Sequence, residues 1–541
     1  MNLINQKLKI TEKIGYALGD GAANIAWRGV STFLFIFYTD VFGINPAAVG
    51  LLMLIARFSD GVSDVLMGIV GDRTKSKFGK FRPWILWTAI PLGVILSLLF
   101  TGPNLSPTGK IIYAYTTYII FTLVYTANNI PYGALIAVMT GDDKERTSLG
   151  SYRMVGAFTG GMLVQGALLF LVAHFGNINP QINVQQLADA KYEVTVSTQN
   201  DVENVNIKTD NGIATFIWAG TEYPDSINEP TQGKSFSMEA DKPYSFIVEG
   251  ENNIEPADIS IIDQKRGYSN AIYILSIVLS LSLIITFLST RERIKPLKTQ
   301  SSNLLKDLGD LVRNKPWIIL LLIGLIFQVY NSIKQGIVVI YFTHYIHNQL
   351  LAASYMVALM IASIGGAMIT APLGKRWGKR KLFIYALIFS GAVNALFVFC
   401  GPSDTIGIFT IGIISEFAAA IFPTLFFAML GDAADYSEFK NGRRATGLIY
   451  SAGSFSTKFG GGVAGAIIGL VLAAFHYNGQ DAVAIQGAVP GIIMLMSWIP
   501  AVIAFAGAVL MYFYPLSQQK MDEITIELNK RRALESAMEI K

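Results

Sequence analysis

The chain is poor in the residues on which most enzymes and disulfide-stapled proteins depend. It has one cysteine, Cys400, in 541 residues, so neither an internal disulfide nor a thiolate metal cluster can form. Cys400 ends an apolar run and reads as packing. There are four histidines; His174, His344 and His347 sit at the ends of apolar runs without ligand spacing and read as interfacial residues, not metal ligands. Neither a Gly-rich phosphate loop nor a nucleophile elbow occurs, which argues against an enzyme. Charge is scarce too, with 15% Asp, Glu, Lys and Arg against 52% hydrophobic residues. That balance excludes a soluble protein of this size and leaves a polytopic membrane protein surrounded by the lipid bilayer. The net charge of +4 comes from basic residues in short loops, so no nucleic acid is expected as partner. A cleavable leader is not expected: Lys7, Lys9 and Lys13 precede a long apolar segment without a small-residue cleavage site, and the first helix reads as a retained span.

What the chain does contain is long apolar runs. A hydrocarbon core needs about 20 apolar residues per helix, and on that ruler twelve spans are expected near 15–39, 47–70, 83–101, 111–139, 152–175, 268–290, 316–346, 350–373, 382–400, 407–430, 446–474 and 489–514. Lys and Arg crowd 71–82, 141–146, 291–315, 374–381, 436–444 and the tail, whereas 40–46, 344–349, 401–406 and 475–488 have none. Both termini are therefore expected in the cytoplasm. Gly68-x3-Asp72-Arg73 after the second span is echoed by Gly374-Lys375-Arg376-Trp-Gly-Lys379-Arg380-Lys381 after the eighth, which implies two six-helix halves. This organisation resembles the major facilitator superfamily. The expected fold is an all-α membrane protein of twelve transmembrane helices with a small β-rich exocytoplasmic insertion. Its divisions are helices 1–5 in 1–176, the insertion in 177–264, helix 6 in 265–291, a cytoplasmic linker in 292–315, the second bundle in 316–514 and an amphipathic tail in 515–541. The insertion holds fifteen acidic and four basic residues, too polar for the bilayer. Alternating runs such as Tyr192–Ser197 and Tyr244–Val248, separated by Asn-Gly and Glu-Pro turns, read as strands. It reads as an acidic decoration, a glycan- or partner-docking module, or a lid.

The most informative string is Arg57-x2-Asp60-x3-Asp64. Two carboxylates at i,i+4 stack on one helix face with Arg57 one turn before them. Each charge in hydrocarbon is costly, by roughly 2.5–3.5 kcal/mol on lenient scales, so such residues mark an ion or proton path. A purely structural ion pair leaves one acid without a counter-charge.

Further strings carry a closer likeness: Tyr38-Thr39-Asp40-Val41-Phe42-Gly43, Lys77-Phe78-Gly79-Lys80-Phe81-Arg82-Pro83-Trp84, Asn129-Ile130-Pro131-Tyr132, Glu145-Arg146-Thr147-Ser148-x3-Tyr152-Arg153 and Gly431-Asp432-x2-Asp435-Tyr436. With the Asp60/Asp64 string they resemble the glycoside–pentoside–hexuronide:cation symporters, over nearly the whole chain outside the insertion. The resemblance implies a sugar transporter without a cofactor, working as a monomer on a small-molecule sugar and coupled to Na⁺ or H⁺. It implies a cation site of Asp60, Ser63, Asp64 and Thr126, in which Asp60 and Asp64 are metal ligands if the ion is Na⁺. It further implies a sugar site of Asn24, Tyr125, Asn129, Arg153, Ser454 and Lys458. Positions 24 and 129 are aspartates and position 133 a sugar-stacking tryptophan in the family's melibiose permease. Here they are Asn24, Asn129 and Gly133, which leaves Asp60 and Asp64 as the expected carboxylates of the first half's cavity.

Arg153, Lys458 and Lys334 then stand as intramembrane cations opposite Asp60, Asp64 and Glu416. One reading pairs a cation with a substrate carboxylate, making the cargo a hexuronide; the other has Arg153 and Lys458 neutralise the cation-site acids and link the halves. Arg57, Asp72, Arg73, Lys334, Asp432 and Asp435 are expected in charge networks that pack or gate helix ends. The abundant Phe and Tyr read mostly as lipid-facing, and Gly150, Gly156, Gly160, Gly161, Gly460 to Gly462 and Gly465 as close helix contacts. A non-transporting sugar sensor and a carrier of lipid-type cargo are the alternative functions.

Overall fold

The computed structural model describes residues 7–140, 143–188, 191–209, 215–218, 235–249, 256, 259–293, 314–441 and 446–539. Asp142, Arg443, Arg444 and most of the 292–315 linker, and the side chains of Asp72 and Arg146, lie outside the described residues. The first half consists of α1 (Ile10–Ile36), α2 (Pro46–Arg73), α3 (Arg82–Leu99), α4 (Pro107–Met139), α5 (Asp143–Gly176) and α6 (Gln264–Ser289). The second has α7 (Lys315–His344), α8 (Gln349–Trp377), α9 (Lys379–Ala395), α10 (Thr405–Ala419), α11 (Ile421–Asn441), α12 (Thr446–Ala474), α13 (Ala482–Met496) and α14 (Trp498–Tyr512), followed by the tail helix α15 (Gln518–Glu539).

The helix starts are written in the sequence. Asn45, Ser106 and Asn314 cap α2, α4 and α7 by accepting from Ala47, Gly109 and Trp317 amides at 2.9, 3.2 and 3.2 Å, each with a proline in the first turn, where a missing N–H is harmless. Among the described residues ten helical segments are long and apolar enough to cross a membrane. They pair α10 with α11 and α13 with α14. α1, which carries Asp20 and Arg28, and α2, which carries Arg57, Asp60 and Asp64, lie outside those ten, and adding them gives the expected twelve.

Small residues set how closely helices cross. A Cβ on Gly156 would lie 2.0 Å from the Ala17 carbonyl oxygen, and one on Gly160 2.2 Å from that of Gly21, so α5 presses directly on α1. Gly160→Val is expected to lower stability by about 1–3 kcal/mol through overpacking, read as an earlier thermal transition of the purified protein. Gly150 departs from the packing expectation, since a Cβ there meets nothing within 4 Å. The tyrosines depart as well: Tyr16, Tyr38, Tyr118, Tyr132, Tyr268, Tyr330, Tyr341, Tyr355 and Tyr514 are fully buried. Several bond other helices through the hydroxyl, as Tyr132 does with the Tyr16 carbonyl at 2.6 Å and Tyr330 with Ser390 at 2.5 Å. Periodicity separates buried from lipid-facing apolar residues poorly when both environments are apolar.

Among its described residues the insertion forms two antiparallel sheets, ordered β1-β2-β6-β4 and β5-β3-β7, with β1 Gln181–Ala188, β2 Lys191–Ser197, β3 Val202–Thr209, β4 Thr215–Trp218, β5 Ser235–Met238, β6 Tyr244–Glu249 and β7 Ile259–Asp263. Val194, Val196, Val205, Phe246 and Ile261 fill its own small core. β7 runs directly into α6, and Asn177 at the end of α5 bridges to Ile262, so both sheet ends are anchored on the first half.

The Lys77–Trp84 string serves local structure. Glu292 accepts from the amides of Lys80, Phe81 and Arg82 at 2.9, 2.7 and 2.9 Å, placing a carboxylate on the N-terminus of α3, where the helix dipole favours it. Gly79, at φ +110°, gives the loop room against that carboxylate. In the second half Tyr514, Leu516, Ile524 and Leu528 are buried in one cluster, folding the tail helix back on the bundle.

Candidate cation and substrate site between the halves

The halves meet along α2 with α12, α5 with α8 and α1 with α7. The contacts are tight toward the face that bears the insertion. Gly50 abuts Gly465 and Gly469, Gly469 abuts the Pro46 carbonyl, and Gly166 abuts Val357. On the same side Asp40, in a π-helical turn Phe37–Val41, accepts from the Tyr477 hydroxyl at 2.8 Å and meets His344 Nε2 at 2.7 Å. His344 is 4% exposed, which corrects its reading as an interfacial residue: it is a polar tie between halves. His174 and His347 are exposed. Toward the basic-loop face there is open space beside Gly68 and Gly133, where a Cβ would meet nothing within 4 Å.

The centre of α2 supplies the first charges. Arg57 Nη1 donates to Asp60 Oδ2 at 2.6 Å and Nη2 to the Tyr118 hydroxyl at 3.0 Å, with the guanidinium 4.5 Å from the Trp27 ring centre. Asp60 is buried, and its Oδ1 has no hydrogen-bond partner. Asp64, one turn on, accepts from Thr126 Oγ1 at 3.1 Å on Oδ1 and from Lys458 Nζ on Oδ2. Lys458 belongs to α12 of the other half, so this ion pair spans the interface. Ser63 Oγ turns to the Asp60 carbonyl at 3.1 Å, and the hydroxyl that reaches a carboxylate is that of Thr126.

On α1, Asn24 donates to the Asp20 carbonyl at 2.9 Å, and the Asp20 carboxylate pairs with Arg153 Nε at 3.3 Å. Asp20 is 5% exposed, so Asp60 and Asp64 are not the only carboxylates of the first half's interior. The rule that singles out Asp60, an acid inside an apolar run, applies equally to Asp20, whereas the family resemblance points to position 24. The Arg153 guanidinium lies 5.5 Å from the Tyr132 ring. Tyr125 stacks on Phe121 at 5.8 Å and lies 5.6 Å from Trp27. Asn129 is partly buried one turn beyond Tyr125, and Ser454 is exposed one turn before Lys458. The substrate set thus divides between polar groups beside open space and two cations already paired.

Lys334 is buried and pairs with Glu416 at 3.2 Å, with the Ser415 hydroxyl at the same distance; Glu416 also accepts from Ser363 at 2.8 Å. Across the halves, Arg28 Nη1 donates to Gln335 Oε1 at 2.8 Å. Arg28, Lys334, Gln335, Ser363 and Glu416 line a cavity of about 60 Å³ walled by Phe158, Met356 and Met360. Asp432 is held by Lys379 at 2.7 Å within the second half, Asp435 follows it on α11, and Arg73 is exposed at the end of α2. These three stand apart from the central charges.

Residues 15–198 and 247–518 match the model of a family described as MFS/sugar transport protein, and the internal unmatched stretch, 199–246, lies inside the insertion. The isoprimeverose transporter of Lactiplantibacillus pentosus is 29% identical over 532 residues, covering 98% of this chain and 93% of that protein. The inner membrane symporter YicJ of Escherichia coli K12 is 29% identical over 535 residues, covering 98% and 97%. In fold, the chain is similar to an inward-facing bacterial homologue of the human lysosomal transporter Spinster, with TM-score 0.59, 11% identity and 94% and 98% coverage.

Proposed function

This chain belongs to the MFS/sugar transport protein family, and we propose that it is a secondary transporter carrying a glycoside across the membrane with a cation, Na⁺ or H⁺, by alternating access. It is a multi-pass membrane transporter and not an enzyme. The observation that carries the coupling is Asp64 held between Thr126 and Lys458, beside the unpartnered Oδ1 of Asp60. Carboxylate and hydroxyl oxygens suit a hard ion, and either acid can instead take a proton. A cation arriving there competes with the Lys458 ammonium, so filling the site loosens an ion pair between the halves. Linkage then requires that whatever the cation does for sugar affinity the sugar does for cation affinity.

With the basic loops and both termini in the cytoplasm of a bacterial inner membrane, the tight face is the outer one and the open face the inner one. The sugar reaches Asn24, Tyr125, Asn129 and Ser454 in the space that Gly133 leaves clear. One monomer contains every group this scheme uses. The experiment is uptake of mono-, di- and acidic sugars into vesicles under separately imposed Na⁺ and proton gradients. Accumulation of a glycoside driven by one of them is expected; equilibration alone under both would rule out symport.

A further inference from the structure

Most interior cations are paired with a carboxylate, and one is not. Among the described residues, Asp20 pairs with Arg153, Asp60 with Arg57, Asp64 with Lys458 and Glu416 with Lys334. Each of these four acids thus has its own cation, while Asp40, toward the insertion-bearing face, is held by Tyr477 and His344. Arg28 has no carboxylate of its own: it donates to the amide oxygen of Gln335, and Glu416, on the wall of the same cavity, is already engaged by Lys334 and Ser363. The two cations that the sequence offered for a substrate carboxylate, Arg153 and Lys458, are the ones the fold has neutralised. Arg28 instead lines the cavity between the halves, with Gln335, Ser363 and Glu416 opposite it on the second half.

A guanidinium in such a place is stable only with a counter-charge or ample water. Gln165, 3% exposed and lining the same cavity, has an amide oxygen without a hydrogen-bond partner, an acceptor left for a ligand hydroxyl. Both groups are complemented by one ligand, a polyhydroxylated molecule with an oxyanion.

We infer that Arg28, with Gln165 and Gln335, forms a substrate subsite toward the insertion-bearing side of the cavity, which takes a carboxylate or sulfonate on the sugar, so that the preferred cargo is an acidic glycoside. This rests on the symport reading and assigns the chemical class of its substrate. Arg28 suits the role better than a lysine would, because the fork of a guanidinium holds a planar carboxylate through two parallel hydrogen bonds. Asn24 precedes it by one turn on the same helix face, so a sugar bound at Asn24 can present its acidic end to Arg28.

The test uses the full-length protein in vesicles and in detergent, with 4-nitrophenyl β-glucuronide and 4-nitrophenyl β-glucoside as probes that differ only at C6, and a C6-sulfonate glucoside to separate sulfonate from carboxylate. The wild type is expected to bind at least one of the two anions at least about tenfold more tightly than the glucoside. Arg28→Gln should reduce that preference by roughly ten- to a hundredfold, the loss of a charge-assisted hydrogen bond. Gln335→Glu gives Arg28 a carboxylate of its own and should reduce the preference in the same way, a check that holds even if Arg28→Gln folds poorly. Equal or weaker binding of both anions by the wild type, or an anion preference unchanged in Gln335→Glu, overturns the inference. Gradient-driven accumulation of the glucoside but of neither anion overturns this inference alone, while accumulation of none of the three under any gradient overturns the symport reading with it.

Discussion

Vesicles containing Asp64→Asn are expected to take up glycoside only to the outside concentration, whichever cation gradient is imposed. The carboxylate is the point where a cation and Lys458 compete, and an amide neither binds a hard cation strongly nor titrates. The coupling factor that the cation contributes, typically between about 5- and 150-fold in affinity, should vanish. Exchange of labelled for unlabelled sugar should persist, because it needs rocking of the halves without net cation movement. A neutral residue at position 64 leaves Lys458 without its partner, so Asp64→Asn with Lys458→Gln should be more stable than Asp64→Asn alone yet equally uncoupled. Full gradient-driven accumulation by Asp64→Asn would contradict the assignment.

The second large effect is on folding. Asp60→Leu strands Arg57 in the core of the first half, with Tyr118 and the Trp27 ring as its remaining contacts. Breaking one side of a buried pair is strongly destabilising, about 3–5 kcal/mol, whereas replacing both partners with apolar groups is often neutral. Arg57→Leu with Asp60→Leu should therefore recover most of the thermal stability lost in Asp60→Leu, measured on purified protein. Transport should stay uncoupled in both. If the double variant is no more stable than the single one, the pair is not the reason Asp60 is tolerated there.

The two predictions depend on different kinds of information. That Asp60 and Asp64 matter was legible from their place in an apolar run, because hydrocarbon penalises a charge wherever the chain puts it. That Asp60 belongs to Arg57 was half legible, as a neighbour one turn away. That Asp64 belongs to Lys458 was not, since the two are 394 positions apart and only the crossing of α2 with α12 joins them. Ser63 was placed with the acids by the family resemblance, yet its hydroxyl turns to backbone, a rotamer choice no sequence likeness encodes. His344 was read as interfacial because it ends an apolar run; the π-helical turn that carries Asp40 to it belongs to the fold.

The opening scarcities, of charge and cysteine above all, together with the long apolar runs and basic loops, determined by themselves that this is a membrane protein of two helical halves. A bilayer imposes length, hydropathy and loop charge on each segment separately. Local turn chemistry likewise marked the strands of the insertion. Only the tertiary structure decided the pairing of the interior charges, because counter-charges are supplied by whichever helix faces the site across the interface. That pairing adds Asp20 to the interior and neutralises Arg153 and Lys458. It leaves Arg28, in the cavity between the halves, as the cation without a carboxylate.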